Sequence, residues 1–74
     1  MSEHFQYLME GLVADMIAKV MEDYHLDMPK ALDVVYSSDF YQKLSVPDTG
    51  LYKEGPAYTY SFLKDEIEKG RLMG

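Results

Sequence analysis

The residues best suited to metal binding or acid–base chemistry lie around His25. Glu22, Asp23 and Asp27 flank this histidine in the sequence, and carboxylate and imidazole groups are common metal ligands. In a helix, however, Glu22 and Asp23 point to different sides, and no second histidine follows three or four residues away. His4 is isolated in the first turn of the same segment. We therefore expect no metal site, and we interpret the cluster as a solvated helix end.

Other candidate catalytic residues lack the partners that catalysis needs. Asp65, Glu66 and Glu68 lie on or beside the polar side of an amphipathic segment, whereas carboxylates that work as an acid–base pair are buried together. The serines have no histidine at a recognisable spacing, and no glycine-rich segment matches a phosphate-binding loop. The sequence predicts no catalytic residue, no cofactor and no enzymatic activity.

Length and composition narrow the class of protein further. The 74 residues form one domain, 1–74, near the lower size limit for a self-sufficient core. Chains of this size often need a disulfide, a metal or a partner subunit to stay folded, and the absence of cysteine excludes disulfides and thiolate metal sites. We therefore expect a surface that meets a partner.

Charge and hydropathy exclude several kinds of partner. The net charge is −6, with 13 acidic and 7 basic residues, and the basic residues are scattered rather than clustered as nucleic-acid binding requires. No signal peptide is recognisable, and the longest helical segment has charged residues in its middle, unlike a membrane span of about 20 apolar residues. We expect a soluble, cytoplasmic protein that binds neither nucleic acid nor membrane.

Helix signals divide the chain into four helical segments. The first runs from about residue 3 to 25, with Ser2 as its N-cap. Asp27 and the proline at 29 start a second helix over 28–36, and Ser37-Ser38-Asp39 opens a third over 39–45. A turn at 46–50 leads to Leu51–Glu54, which is predicted to be extended. A fourth helix begins after Gly55, has Ala57, Tyr60, Leu63 and Ile67 on its inner face, and ends near Lys69 with Gly70 in the left-handed conformation. The sequence predicts an all-α bundle of three to four helices: a long first helix, two short helices and a C-terminal helix.

The first helix has apolar residues on most of its circumference. A stripe about 200° wide recurs with helical periodicity, and it comprises Phe5, Leu8, Met9, Leu12, Val13, Met16, Ile17, Val20, Met21 and Tyr24. A second face carries Gly11, Ala14 and Ala18 within roughly 60°, flanked by Tyr7 and Met21. This pattern indicates a helix enclosed on nearly all sides.

The small-residue face admits two interpretations. It could let the last helix approach closely, or it could be a self-association surface. We favour a joint interpretation in which one side of the helix meets its own chain and the other meets a second copy, because three short elements cannot easily wrap a helix about 35 Å long. An uncovered apolar face marks a protein interface, and two-fold homodimers are the commonest arrangement.

Tyrosines gather around the start of the last helix. Tyr52, Tyr58 and Tyr60 lie close together in the sequence with Leu51 and Pro56. Tyrosine is favoured at interfaces, although Tyr60 could be a core residue while Tyr52 packs the loop down. Tyr52 and Tyr58 are therefore candidate interface residues.

Residues 31–64 carry a resemblance to a known family. The motifs are Ala31-Leu32, Tyr36-x-Ser38, Tyr41-x-Lys43-Leu44, Thr49-Gly50-Leu51-Tyr52 and Pro56-Ala57-Tyr58-x-Tyr60-x-x-Leu63-Lys64. They resemble a family of small uncharacterised bacterial helical proteins, encoded near genes for ADP-ribosyltransferase-like toxins, that begin with a comparable apolar helix. The resemblance implies a bacterial cytoplasmic setting and an antitoxin-like role, and it brings no site residues.

Two functional hypotheses follow. The first is a non-enzymatic, acidic, homodimeric protein–protein interaction module, with Tyr7, Gly11, Ala14, Ala18 and Met21 at its interface. The second is an antitoxin-like or regulatory binder of a partner enzyme encoded nearby, which would use the tyrosine-rich loop.

Overall fold

The computed structural model describes the backbone of residues 2–73 and the side chains of residues 4–70. Its first helix, α1, spans Ser2–Tyr24. Its buried face consists of Met9, Leu12, Val13, Met16 and Val20, which lie within an arc of roughly 100°. The predicted N-cap role of Ser2 concerns a side chain outside the described ones. α1 is therefore embedded along one face only.

A left-handed residue ends α1. His25 has φ of 56°, and the N–H of Leu26 donates to the carbonyl of Met21 at 3.2 Å, which is the six-to-one hydrogen bond of a Schellman motif. Leu26 and Met21 both pack against the core, and apolar residues at these two positions frequently accompany the motif. His25, the candidate metal ligand, thus occupies the left-handed position after a helix that glycine usually fills.

Ser38 separates two short helices, α2 (Met28–Ser37) and α3 (Asp39–Leu44). The N–H of Ser38 donates to the carbonyl of Val35 at 3.3 Å, and its hydroxyl donates to the same carbonyl at 2.7 Å while accepting from the N–H of Tyr41 at 3.0 Å. The predicted start of α2 is also confirmed, because Asp27 accepts from the N–H of Lys30 at 3.2 Å.

Two single turns of 3-10 helix, Pro47–Thr49 and Leu51–Lys53, connect α3 to the last helix. The prediction of an extended segment over 51–54 is therefore wrong. Gly50 has φ of 70°, which turns the chain at a position that glycine adopts without strain. The N–H groups of Lys53 and Glu54 then donate to the carbonyls of Gly50 and Leu51 at 3.1 Å, so these backbone groups are paired locally.

The last helix, α4, spans Pro56–Met73. It continues through Gly70, so the predicted left-handed end there is wrong; one glycine in a helix costs only about 1 kcal/mol. Its buried residues include Thr59, Tyr60 and Leu63, whereas Ala57, predicted to face inward, is exposed. Thr59 can be fully buried because its hydroxyl donates to the carbonyls of Gly55 and Pro56, both at 3.0 Å.

The described part of the chain is an all-α bundle without strands, as predicted. α2, α4 and the turn at Leu51–Lys53 all contact α1, and α3 packs against α4. The core joins α1, α2, α3 and α4, through residues such as Met16, Val35, Leu44 and Leu63. Gly11, Ala14 and Ala18 are exposed, so the other elements leave one side of α1 uncovered, as predicted from their short length.

Candidate functional site

A row of residues that is uncovered except at its C-terminal end runs along α1 opposite the core. It comprises Tyr7, Gly11, Ala14, Ala18 and Met21, separated by four, three, four and three positions. These five positions lie within an arc of about 80°. Tyr7 is 74% exposed, the three small residues are exposed, and Met21 is half-buried. We call this row the outer stripe; it unites five of the seven residues predicted for an interface.

The other helices contact α1 away from the outer stripe. Tyr60 of α4 donates to Asp23 at 2.8 Å, and Tyr24 donates to Glu68 of α4 at 2.7 Å. A side chain added at Gly11 would meet no heavy atom within 4 Å. The interpretation that the small residues admit the last helix at close range is therefore wrong.

A groove borders each side of the outer stripe. One, of about 420 Å³, lies between α1 and the α2–α3 pair; Ala14 and Ile17 line it on the α1 side, and Tyr36 and Tyr41 line it opposite. Tyr36 is 48% exposed and meets Tyr41 edge to face at 4.9 Å between ring centroids. We call this groove the tyrosine groove.

The second groove, of about 850 Å³, lies between α1 and the segment that leads into α4, and Tyr7, Gly11, Tyr52 and Lys53 contribute to its lining. Tyr52 is half-buried, and its ring packs edge-on against Phe5 at 4.8 Å. The interpretation that Tyr52 packs the loop down is thus confirmed, and the same side chain borders the outer stripe.

Tyr58 belongs to a different surface. It is 51% exposed and meets Phe62 edge to face at 4.9 Å. Phe62, itself 40% exposed, stacks on Phe40 of α3 at 5.6 Å. The structure therefore divides the predicted tyrosine cluster: Tyr52 lies beside the outer stripe, Tyr58 lies in an aromatic row on α3 and α4, and Tyr60 is buried.

The polar contacts between α1 and α4 are suited to holding helices together rather than to proton transfer. Burial, and then the hydrogen bond to Asp23, raise the pKa of Tyr60 well above its ordinary value. Its phenol therefore stays protonated at neutral pH and acts as a donor. Lys64 lies 4.0 Å from the same carboxylate, and the ammonium of Lys19 lies 5.6 Å from the Tyr60 ring centroid.

The carboxylates of α4 have separate roles. Glu66 accepts from the N–H groups of Asp39 and Phe40, each at 2.8 Å, so it caps α3 across the bundle. Asp65 pairs with Lys69 at 3.0 Å on the exposed side. Asp65 thus lies on the polar, exposed side of α4 as predicted, whereas Glu66, which was predicted to lie on or beside that side, faces α3.

The remaining candidates for chemistry are also held by local contacts. The hydroxyls of Ser37 and Ser61 donate to the carbonyls of Asp33 and Tyr58, both at 2.6 Å. Among the described residues, no group of three histidine or acidic side chains is arranged to hold a metal ion. Nor does any helix in that part of the chain have the length and hydropathy to cross a bilayer.

Comparison of the chain with known protein families, with curated proteins and with solved structures finds no match. The resemblance to the small bacterial family, and the antitoxin-like role that it implies, therefore stay predictions. The outer stripe and its two grooves are the candidate functional site on geometric grounds alone.

Proposed function

We propose that this chain is a non-enzymatic protein–protein interaction module that works as a homodimer through the outer stripe of α1. The observation that carries the proposal is an exposed, uncharged helix face with a highly exposed tyrosine at one end and a groove on either side. Apolar faces of this kind mark protein interfaces, and two-fold dimers are the commonest way to cover them.

The dimensions of the outer stripe support an association. A stable interface removes about 800 Å² from each partner. The outer stripe from residue 7 to 21 is about 21 Å long, so a second copy would cover it and parts of both groove walls. The proposed interface therefore extends to Tyr36 and Tyr52.

The experiment is size-exclusion chromatography with light scattering, from about 1 to 100 µM, the range in which moderate affinities are measured. We expect a particle of twice the chain mass of 8.6 kDa. Ala14→Glu should yield a folded monomer, because it would place a charge in the middle of the contact. Ala57→Glu is the matched control, since Ala57 is an exposed alanine on another helix. A monomeric wild type at the highest concentration, or a dimeric Ala14→Glu, would overturn the proposal.

The aromatic row formed by Tyr58, Phe62 and Phe40 supports a second candidate function, an antitoxin-like or regulatory binder of a partner enzyme encoded nearby. Aromatic side chains are enriched at interfaces, and two of these three are substantially exposed. The resemblance to the small bacterial family supports a bacterial cytoplasmic setting for either role.

Co-expression with the product of the neighbouring gene tests this second function. Co-elution that is lost in Tyr58→Ala and kept in Met28→Ala would support it, because the two side chains are about equally exposed and Met28 lies outside both proposed surfaces. A complex that fails to form with the wild-type chain, or that survives Tyr58→Ala, would refute the use of this surface.

A further inference from the structure

We infer that the two copies of the dimer pack antiparallel along α1, with Tyr7 of each copy seated against Ala14, Ile17 and Ala18 of the other. The inference rests on the proposed homodimer and specifies its geometry. Tyr7 is the anchor because most of its ring is exposed, although aromatic side chains are the ones that gain most from burial at an interface. The occupant of the outer stripe is thus a second copy of this chain.

The spacing of the outer stripe is the first argument. Steps of four, three, four and three residues from Tyr7 to Met21 are those with which two helices pack side chains as knobs into holes. The buried residues Met9, Val13, Met16 and Val20 repeat the same spacing on the inner face. α1 therefore presents one such face to its own chain and another to the outside.

The sizes of the side chains favour the antiparallel direction. In a parallel pair each residue meets its own copy, so Tyr7 would face Tyr7 and Met21 would face Met21. Those bulky ends would hold the helices apart and leave voids at the small residues between them, which well-packed contacts avoid. In the antiparallel register Tyr7 lies over the partner's Ala18 and Gly11 lies over the partner's Ala14. Tyr7, the largest side chain of the stripe, then meets a small residue at both symmetric contacts.

The charges beside the stripe favour the same register. A parallel pair brings Glu10 of each copy near Asp15 of the other, because these positions flank the contact in consecutive heptads. Like charges facing each other across an interface are unfavourable. The antiparallel register instead sets Glu10 near the partner's Ile17, and Asp15 near the partner's Leu8. Neither of these two carboxylates then faces a like charge of the partner.

The tyrosine groove gives the anchor a place to bind. Ala14 and Ile17, which the antiparallel register sets beside the partner's Tyr7, line the α1 wall of that groove. The opposite wall carries Tyr36 and Tyr41, so an entering aromatic ring meets aromatic edges as well as aliphatic surface. At each of the two symmetric contacts, one copy therefore supplies the tyrosine groove and the other supplies the Tyr7 side chain.

Disulfide trapping tests the direction directly, because the chain has no cysteine and single-cysteine variants are unambiguous. Equimolar Tyr7→Cys and Ala18→Cys should give a mixed covalent dimer under mild oxidation. Ala18→Cys alone should stay uncross-linked, since the two copies of residue 18 lie about 16 Å apart along the axis in this register, beyond the Cα separation of about 7 Å that a disulfide allows. Alanine replacement adds a readout: Tyr7→Ala should weaken dimerisation at least about tenfold, while Met28→Ala, at an exposed side chain outside both proposed surfaces, should leave it unchanged.

The outcomes separate this geometry from the dimer itself. A dimer in which Ala18→Cys links to itself would be parallel, which overturns the register and leaves the proposed function standing. A dimer in which neither cysteine pair links would overturn both the register and the use of the outer stripe. A wild-type chain that is monomeric by light scattering would overturn the proposed function. A mixed covalent dimer together with the loss in Tyr7→Ala would establish the antiparallel contact.

Discussion

The cap that Glu66 places on α3 leads to the most specific prediction about stability. The first four N–H groups of a helix have no partner within it. In α3 the N–H of Ser38 bonds to Val35, that of Tyr41 bonds to the Ser38 hydroxyl, and those of Asp39 and Phe40 bond to the two oxygens of Glu66 at 2.8 Å each. Two of these four N–H groups are therefore capped by Glu66, which lies 27 positions after Asp39 and 26 after Phe40.

The expected magnitude follows from those two bonds. A hydrogen bond to a charged group stabilises by about 1.5–3 kcal/mol. Glu66→Gln keeps one carbonyl acceptor and turns an amide N–H₂ toward the other N–H, so it should lower the free energy of unfolding by about 2 kcal/mol. A 74-residue domain has roughly 4–11 kcal/mol in total, and a loss of that size should lower Tm by roughly 8–16 °C.

Asp65→Asn is the matched control. It removes the same unit of charge one position earlier in the same helix, and its ion pair with Lys69 is exposed. Exposed ion pairs contribute less than about 1 kcal/mol. Urea unfolding followed by circular dichroism gives both free energies, and amide hydrogen exchange should show faster exchange at Asp39 and Phe40 in Glu66→Gln. Equal effects of the two variants, or unchanged exchange at those two amides, would refute the cap.

Two further predictions concern backbone strain and pH. His25→Gly should raise the free energy of unfolding by about 1 kcal/mol in urea titrations, because glycine adopts the positive φ of 56° without the steric cost that a side chain carries; a destabilised variant would show that the imidazole has a structural role. The raised pKa of Tyr60 means that the unfolded chain ionises first, so stability is fully present below the unfolded pKa of 10.0 and declines as the pH rises above it. At pH 8, Tyr60→Phe should have a free energy of unfolding about 1 kcal/mol lower than the wild type, because it lacks the hydrogen bond to Asp23. Between pH 8 and 11 the wild type should lose about 1.4 kcal/mol relative to this variant, because only the wild type has a phenol at position 60 that ionises on unfolding. Parallel curves of stability against pH for the two proteins would contradict this.

Local signals predicted the helix starts well. Asp27 and Ser38 act within three residues of the N–H groups they cap, so sequence spacing alone specifies their contacts. Gly70 shows the limit of such signals, because a glycine permits a helix to end without requiring it. The prediction that Leu51–Glu54 is extended was wrong because the described part of the chain offers no strand to pair with. The N–H groups of Lys53 and Glu54 instead donate to backbone carbonyls three residues earlier.

Long-range contacts could not be predicted in the same way. The carboxylate of Glu66 looked solvated because periodicity describes one helix at a time, and only the packing of α3 against α4 brings it to Asp39 and Phe40. Similarly, the wheel of α1 located Tyr7, Gly11 and Ala14 on one face, but it could not decide whether the last helix or a second copy meets that face. The residues of the candidate surface were predictable, whereas the position of α4 away from this face was not.

The shared cap also bears on the order in which the chain folds. α3 has six residues, too few to be stable in isolation, because forming the first helical turn is itself unfavourable. Two of its first four N–H groups find acceptors only after α4 has docked, which closes a loop of more than 25 residues and costs chain entropy. α3 should therefore be the last helix to form, after α1 has met α2 and α4, and its amides should be the first to open in the native protein. A disturbance at Glu66 would then act mainly on the rate of unfolding, with little effect on the rate of folding.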